Sequence, residues 1–150
     1  MKINFSVLVI AIALFTSCTH KGNERQMKAD VDSFAIHYFN WQYKESLPYC
    51  TKESEKWLRY AASQVHQADI DLLRTKSEGA SYELGDIKFN ENDTTANILI
   101  EVKNYLCMDT IGKEGRIIEE ATYSLPLVYK GNGWKVKMEG LLRSEKRSHD

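Results

Sequence analysis

The chain is expected to fold as an α+β domain, with three N-terminal helices followed by a bent four-stranded antiparallel sheet. Three observations predict this. Val31, Phe34, Ala35, Tyr38 and Phe39 recur at the spacing that lines one face of a helix. A second helical stripe runs through Trp57, Tyr60, Ala61, Gln64, Val65, Ala68 and Leu72. From Ala80 onward the period drops to two: Ala96, Ile98, Ile100 and Val102 alternate with polar or mixed neighbours, as do Ala121, Tyr123, Leu125, Leu127 and Tyr129, and then Trp134, Val136 and Met138.

The first helix starts at Gln26, where the apolar period begins. A short second helix is expected over residues 42–49, with Pro48 near its end, where a missing backbone donor does little harm. The third helix opens with Thr51 as N-cap and Glu53 and Glu55 in a first turn that favours negative charge. It is expected to run unbroken to residues 75–79. In the sheet, a turn at residues 90–93 sets Phe89 opposite Thr94 and Ile87 opposite Ala96. Apolar parity flips between Leu84 and Ile87, so one extra residue at Gly85-Asp86 predicts a β-bulge. A turn centred in residues 109–115 pairs Leu106 with Glu119 and Asn104 with Ala121. The loop at residues 130–133 sets Tyr129 opposite Trp134, Leu127 opposite Val136 and Leu125 opposite Met138, apolar against apolar.

The N-terminus carries a separate message. Lys2 precedes an unbroken apolar run at residues 7–15, followed at once by Thr16-Ser17-Cys18. The run suits the core of a secretory leader, since a spanning helix needs about 20 apolar residues. Small residues before a cysteine resemble the lipobox of bacterial lipoproteins. That resemblance implies removal of residues 1–17, a diacylglycerol on the Cys18 thiol and a third acyl chain, such as palmitate, on the new N-terminus. Thr19 after the cysteine, rather than Asp, implies the outer membrane, and the lack of an acidic cluster in residues 19–25 implies a periplasm-facing location. Residues 18–25 are then lipidated cysteine and polar tether, residues 26–142 the domain, and residues 143–150 a solvated tail.

Cleavage leaves 133 of 150 residues and, with Lys2 gone, 19 basic against 21 acidic side chains. A chain with no strong field of either sign is a poor match for nucleic acid. The membrane partner is implied by the lipid alone, because no polybasic patch is present. Cys50 and Cys107 remain after lipidation. They are either buried thiols or, if their Cα atoms approach within about 7 Å, a disulfide.

The order of helices and strands, together with Val31-Asp32-Ser33-Phe34 through Phe39, Tyr43-Lys44-Glu45-Ser46-Leu47-Pro48-Tyr49-Cys50, residues 94–102, and Leu127-Val128-Tyr129 through Gly133-Trp134-Lys135-Val136, resembles the NTF2-like (cystatin-like) superfamily. It is similar in particular to small envelope lipoproteins of that type. The resemblance implies a sheet wrapped round a long helix to form a cone. Some members are isomerases or dehydratases with Asp, His or Tyr inside it.

On these parities Glu119 is the one ionisable inward strand residue, beside Asn104, where burial would raise its pKa and make it a base. His37 flanks the stripe of the first helix. His66 and Asp69 stand at i, i+3 and are expected to be a solvated pair; two ligands do not make a metal site, and with no CxxC no metal is expected. No Gly-rich phosphate loop or dinucleotide fingerprint is present, so no cofactor is expected. The leading expectation is a non-catalytic binding or interaction module, its partner an envelope protein or a small apolar ligand. Tyr38, Trp57, Tyr60, Tyr123 and Trp134 are the candidate pocket, with Glu119 at its edge; tyrosine and tryptophan offer an apolar body and a polar tip. The alternative is an isomerase- or dehydratase-type enzyme using Glu119 or His37. A homodimer through the outer sheet face, which carries Asn97, Leu99, Glu101, Lys103 and Tyr105, is a third role, though that face is mixed in polarity. Asp93-Thr94-Thr95 and Asp109-Thr110-Ile111 resemble the acceptor for O-glycosylation of exported proteins in some bacteria, and both fall at expected hairpin ends. Asn92-Asp93-Thr94 also fits an N-linked sequon.

Overall fold

The computed structural model describes residues 19–108 and 112–145. Four helices precede a four-stranded antiparallel sheet in the order β1-β2-β3-β4, an α+β fold as the sequence predicts. The helices are α1 (Thr19–Tyr38), α2 (Tyr43–Ser46), α3 (Glu55–Ser63) and α4 (Gln67–Thr75), with 3-10 turns at Leu47–Tyr49 and Lys52–Ser54. The strands are β1 (Ser81–Phe89), β2 (Thr95–Cys107), β3 (Arg116–Tyr129) and β4 (Trp134–Val136). The inner face of the sheet and α1 form the core: Met27, Val31, Phe34, Ala35 and Phe39 are buried with Ala96, Ile98, Ile100, Val102, Leu125, Leu127, Trp134 and Val136.

Helix α1 begins at Thr19, so residues 19–25, expected as a tether, are helical. That stretch holds no proline and only one glycine, Gly22. Adding turns to a helix already nucleated by packing needs no more than fair propensity. At the other end, Gln42 N–H donates to His37 O (2.9 Å) and Trp41 N–H to Tyr38 O (3.1 Å), with Trp41 at φ 62°. This is a Schellman stop with tryptophan where glycine is usual. Its indole Nε1 donates to Leu106 O at 2.7 Å, a tie to β2 that offsets the left-handed backbone.

The third helix is broken rather than continuous. His66 is extended (φ −100°, ψ 160°), and its N–H, which an unbroken helix would give to Ala62 O, goes to Asp69 Oδ2 at 2.7 Å. The buried face of α3 is Leu58 and Ala61. A polar corner fixes it to β4. Ser54 Oγ accepts from Met138 N–H (2.8 Å), Thr51 N–H donates to Val136 O (2.9 Å), and the two hydroxyls share a hydrogen bond of 2.7 Å. The β3–β4 pairing ends at Leu127–Val136, followed by one further backbone bond from Lys137 N–H to Pro126 O (2.8 Å), so Met138 does not pair with Leu125 as expected; its N–H lies on the outer edge of β4, where Ser54 takes it.

The bulge lies where parity placed it, between Leu84 and Ile87. Phe89 pairs with Ala96 and Ile87 with Ile98, two residues from the expected partners, because six residues, 90–95, rather than four separate the paired Phe89 and Ala96, with Asn90 N–H donating to Thr95 O (2.9 Å). The β2–β3 register is also shifted by two, with Val102 opposite Ala121 and Leu106 opposite Ile117. Both slips preserve which face points inward. The β3–β4 register, Tyr129 with Trp134 and Leu127 with Val136, is as read from the sequence. The expected tail begins later than residue 143: Ser144 bridges to Tyr123, and Glu145 N–H donates to Thr122 O (2.8 Å).

Candidate functional site

The aromatic residues expected to share one pocket lie in four environments. Trp134 is 1% exposed and belongs to the core, its N–H held by Asp30 Oδ2 at 2.8 Å. Tyr60 is 38% exposed on the outside of α3. Tyr38 and Tyr123 line a narrow cleft at the C-terminal end of α1, and Trp57 lines a separate groove at the α3–β4 corner. Helical periodicity does not say which neighbour a face meets, and α3 packs through Leu58 and Ala61.

The cleft is walled by Tyr38, Phe39, Trp41, Tyr43, Tyr105 and Tyr123, with Cys107 and Met108 at β2's end, and encloses about 50 Å³. Phe39 packs against Tyr105 (5.9 Å) and Tyr123 (5.1 Å), and the Tyr105 and Tyr123 hydroxyls share a hydrogen bond. Burial is the main cause that pushes the phenols of Tyr38, Tyr43 and Tyr123 above the ordinary tyrosine range; negative charge at Cys107 adds to it in all three. These walls are neutral hydrogen-bonding groups, and the space admits a few water-sized groups rather than a whole ligand. Trp41 and Tyr43 were not anticipated, and Tyr105, expected on the outer sheet face, is 3% exposed and lines the cleft, because the left-handed Asn104 turns it inward. The dense run Tyr38-Phe39-Trp41-Tyr43 was the available signal, but Trp41 falls outside the helical period.

The groove is larger, about 420 Å³, within the usual range for small-molecule sites. Trp57, Val128 and Met138 supply its apolar surface, Lys56, Lys130 and Lys137 its cations, and Glu53 and Glu139 its anions. Lys56 Nζ lies 5.2 Å from the Trp57 ring, and Lys137 pairs with Glu139 at 3.2 Å. Glu53 is held below the usual carboxylate range, chiefly by a backbone N–H and then by the Thr51 hydroxyl.

Glu119, expected inside, is exposed. Asn104 at φ 50° interrupts the ladder between Lys103–Glu120 and Tyr105–Ile118, so inward parity passes from position 104 to Tyr105 and from 119 to Ile118. Asparagine tolerates that backbone better than most residues. His37 Nδ1 is 2.8 Å from Gln42 Oε1 and its ring stacks on Tyr49 (6.2 Å); neither His37 nor Glu119 lines the cleft or the groove. Cys50 and Cys107 are thiols, not a bridge. Cys50 Sγ donates to Leu47 O at 3.4 Å beside β4, whereas Cys107 lies at the cleft. Thr94 is exposed, in the turn after Asp93 at φ 52°. Asn92 Oδ1 accepts from Thr95 Oγ1 at 3.0 Å. Thr110 and Cys18 lie outside the described residues. Among the described residues no group of three or more His, Cys, Asp or Glu could hold a metal ion, and no helix is long and apolar enough to cross a membrane.

Of the pair His66–Asp69, expected in solvent, Asp69 is instead buried and acts as a staple, while the His66 side chain stays 42% exposed. Asp69 is 1% exposed; its Oδ2 accepts from His66 N–H and its Oδ1 from Gly115 N–H at 2.6 Å, fastening α4 to the β2–β3 turn. Asp69→Ala orphans both donors and is expected to cost about 3 kcal/mol, at 1–3 for each buried group left unsatisfied. Amide exchange in residues 67–75 reads this directly. Unchanged protection there would show that α4 is held by other means.

No family model matches the chain, and no curated protein matches it. A solved structure, the intermembrane space region of chloroplast protein ARC6, aligns with a TM-score of 0.38 and 13% identity over 81% of this chain and 91% of that one. A likeness at that level carries no argument about this chain.

Proposed function

We propose that the protein is a lipid-anchored, extracytoplasmic binding module of NTF2-like type, and that it binds rather than catalyses. The observation that carries the reading is the composition of two concavities formed by the described residues. The cleft is walled by hydrocarbon and by phenols that burial keeps neutral, and the groove sets an indole among lysines whose charges are partly matched by glutamates. Neither holds a carboxylate or imidazole desolvated enough to be poised for proton transfer. The exposure of Glu119 and the structural ties of His37 weaken the isomerase or dehydratase alternative.

The groove at Trp57 is the binding site of this proposal. Its 420 Å³ suits a small ligand or a partner's side chains, and an indole flanked by cations suits a flat group that carries negative charge. A photo-crosslinker at Lys56 in intact cells is expected to give a discrete adduct that Trp57→Ala weakens about tenfold, the size of a lost aromatic anchor. The same adduct from a crosslinker at Lys103 on the outer sheet face, or one indifferent to Trp57→Ala, counts against the groove. Thr94 remains the candidate O-glycosylation site of this reading, and the intact mass of the native protein, beyond the lipid increment, tests it.

A further inference from the structure

We infer that the end of the domain bearing the β1–β2 and β3–β4 turns faces the lipid surface, while the tyrosine cleft points away from it. The inference rests on the proposed lipidation of Cys18 and follows from α1 having no joint. Among the described residues the helix spans Thr19–Tyr38 without interruption, and Thr19 follows Cys18 directly in the sequence. From Glu24 onward, its first fully buried residue is Met27. Eight helical residues, 19–26, lie between Cys18 and Met27, and the rise from Thr19 to Met27 is about 12 Å. A flexible tether would let the domain turn freely, whereas a continuous helix packed into the core from Met27 onward carries its orientation into the body.

Contacts along α1 say which end is which. Near its start, Asp30 Oδ2 accepts from Trp134 N–H at 2.8 Å, directly after the β3–β4 turn. Phe89, at the edge of the β1–β2 turn, lies 6.0 Å from the Trp134 ring, and Tyr129 N–H donates to Thr94 O at 2.8 Å, so the two turns are neighbours. Near the end of α1, Asn40 Oδ1 accepts from Ala80 N–H at 2.8 Å, and Trp41 Nε1 reaches Leu106 O, close to the β2–β3 turn. The anchored end therefore presents Tyr129, 38% exposed with its hydroxyl on Gly131 O, beside Lys130. An exposed tyrosine next to a lysine suits the headgroup zone, where an aromatic body and a charged tip are both accommodated. Arg25 and Lys28 of α1 share this end with Glu91 and Asp93, so the face is mixed in charge and the lipid, not a basic patch, supplies the attraction. The Trp57 groove reaches this end through Lys130, which lines it beside Val128.

The test uses the full-length lipidated protein in phosphatidylethanolamine–phosphatidylglycerol vesicles that contain an acceptor-labelled lipid. A clickable donor dye is placed at Glu91 or Asn132 in the near turns, or at Glu78 or Lys113 at the far end. Strands of 13 and 14 residues separate the two ends by roughly 40 Å. Transfer from Glu91 and Asn132 is expected to exceed that from Glu78 and Lys113 by about threefold or more at such a difference in height. Equal or reversed transfer in protein whose vesicle binding is lost on Cys18→Ser overturns the orientation and leaves the lipid anchor standing. Vesicle binding unaffected by Cys18→Ser overturns the anchor, and the orientation with it.

Discussion

Replacing Trp134 with alanine is expected to cost about 4 kcal/mol, in the range for deleting a buried aromatic side chain. Trp134 is 1% exposed, with ring neighbours Phe89 at 6.0 Å and Tyr129 at 5.4 Å. It is also the first residue of a strand only three residues long. Strand β4 has few ladder bonds to fall back on, so losing the indole frees the edge that Thr51 and Ser54 hold. In a domain of this size the melting temperature should fall by about 10–15 °C. Trp57→Ala, which removes a half-buried groove wall, is expected to cost well under half as much. Equal melting temperatures for the two variants would show that Trp134 is not a core residue. The comparison also guards the binding test: a Trp134 variant that loses a partner has lost its fold first, whereas a Trp57 variant that loses one has lost a contact.

Much of the fold was legible because burial writes a period into the sequence. The inner face of β2, Ala96 to Val102, and that of β3, Tyr123 to Leu127, are buried in the alternation the residues display. The bulge at Gly85-Asp86 could be located because two parities had to be reconciled. What failed was set by single hydrogen bonds that no period records. Asp69 capturing the His66 N–H divided one helix into two, and α3 buries Leu58 and Ala61 while Tyr60 is exposed. Asn104 in a left-handed conformation moved Glu119 from the inner face to solvent. Ser54 taking the Met138 N–H tied the outer edge of β4 to the start of α3. The candidate site suffered most, because a cavity forms where elements that are distant in sequence meet. Tyr38 and Tyr123 were singled out as apolar-face aromatics, but Trp41, which walls the same cleft, reaches Leu106 across 65 residues from an irregular turn. Aromatic residues alone could not tell a core anchor from a groove wall, since both are chosen for the same large apolar surface.

The tyrosines that frame the cleft should make the fold fail steeply in alkali. Tyr38, Tyr43 and Tyr123 are raised above the ordinary tyrosine pKa of about 10, first by burial and then by the negative charge that neighbours such as Cys107 would carry. In the unfolded chain the same phenols ionise near pH 10. Below that pH both states hold the proton and no penalty exists; above it the unfolded state releases protons that the folded state retains. Stability is therefore fully present below pH 10 and falls as pH rises toward the folded pKa values. Each phenol contributes a slope of about 1.4 kcal/mol per pH unit, so three give about 4 kcal/mol per unit. A domain of ordinary stability, about 5–15 kcal/mol, is then expected to unfold cooperatively within roughly one to four units above pH 10. Absorbance of tyrosinate at about 295 nm should rise for these residues together with the loss of far-ultraviolet circular dichroism. Tyr43→Phe should remove about a third of the slope, because the ring stays and only the ionisable hydroxyl goes. Full tyrosinate absorbance in a protein that keeps its circular dichroism would show that the phenols are hydrated, and that the cleft is open to solvent in a way its packing does not allow.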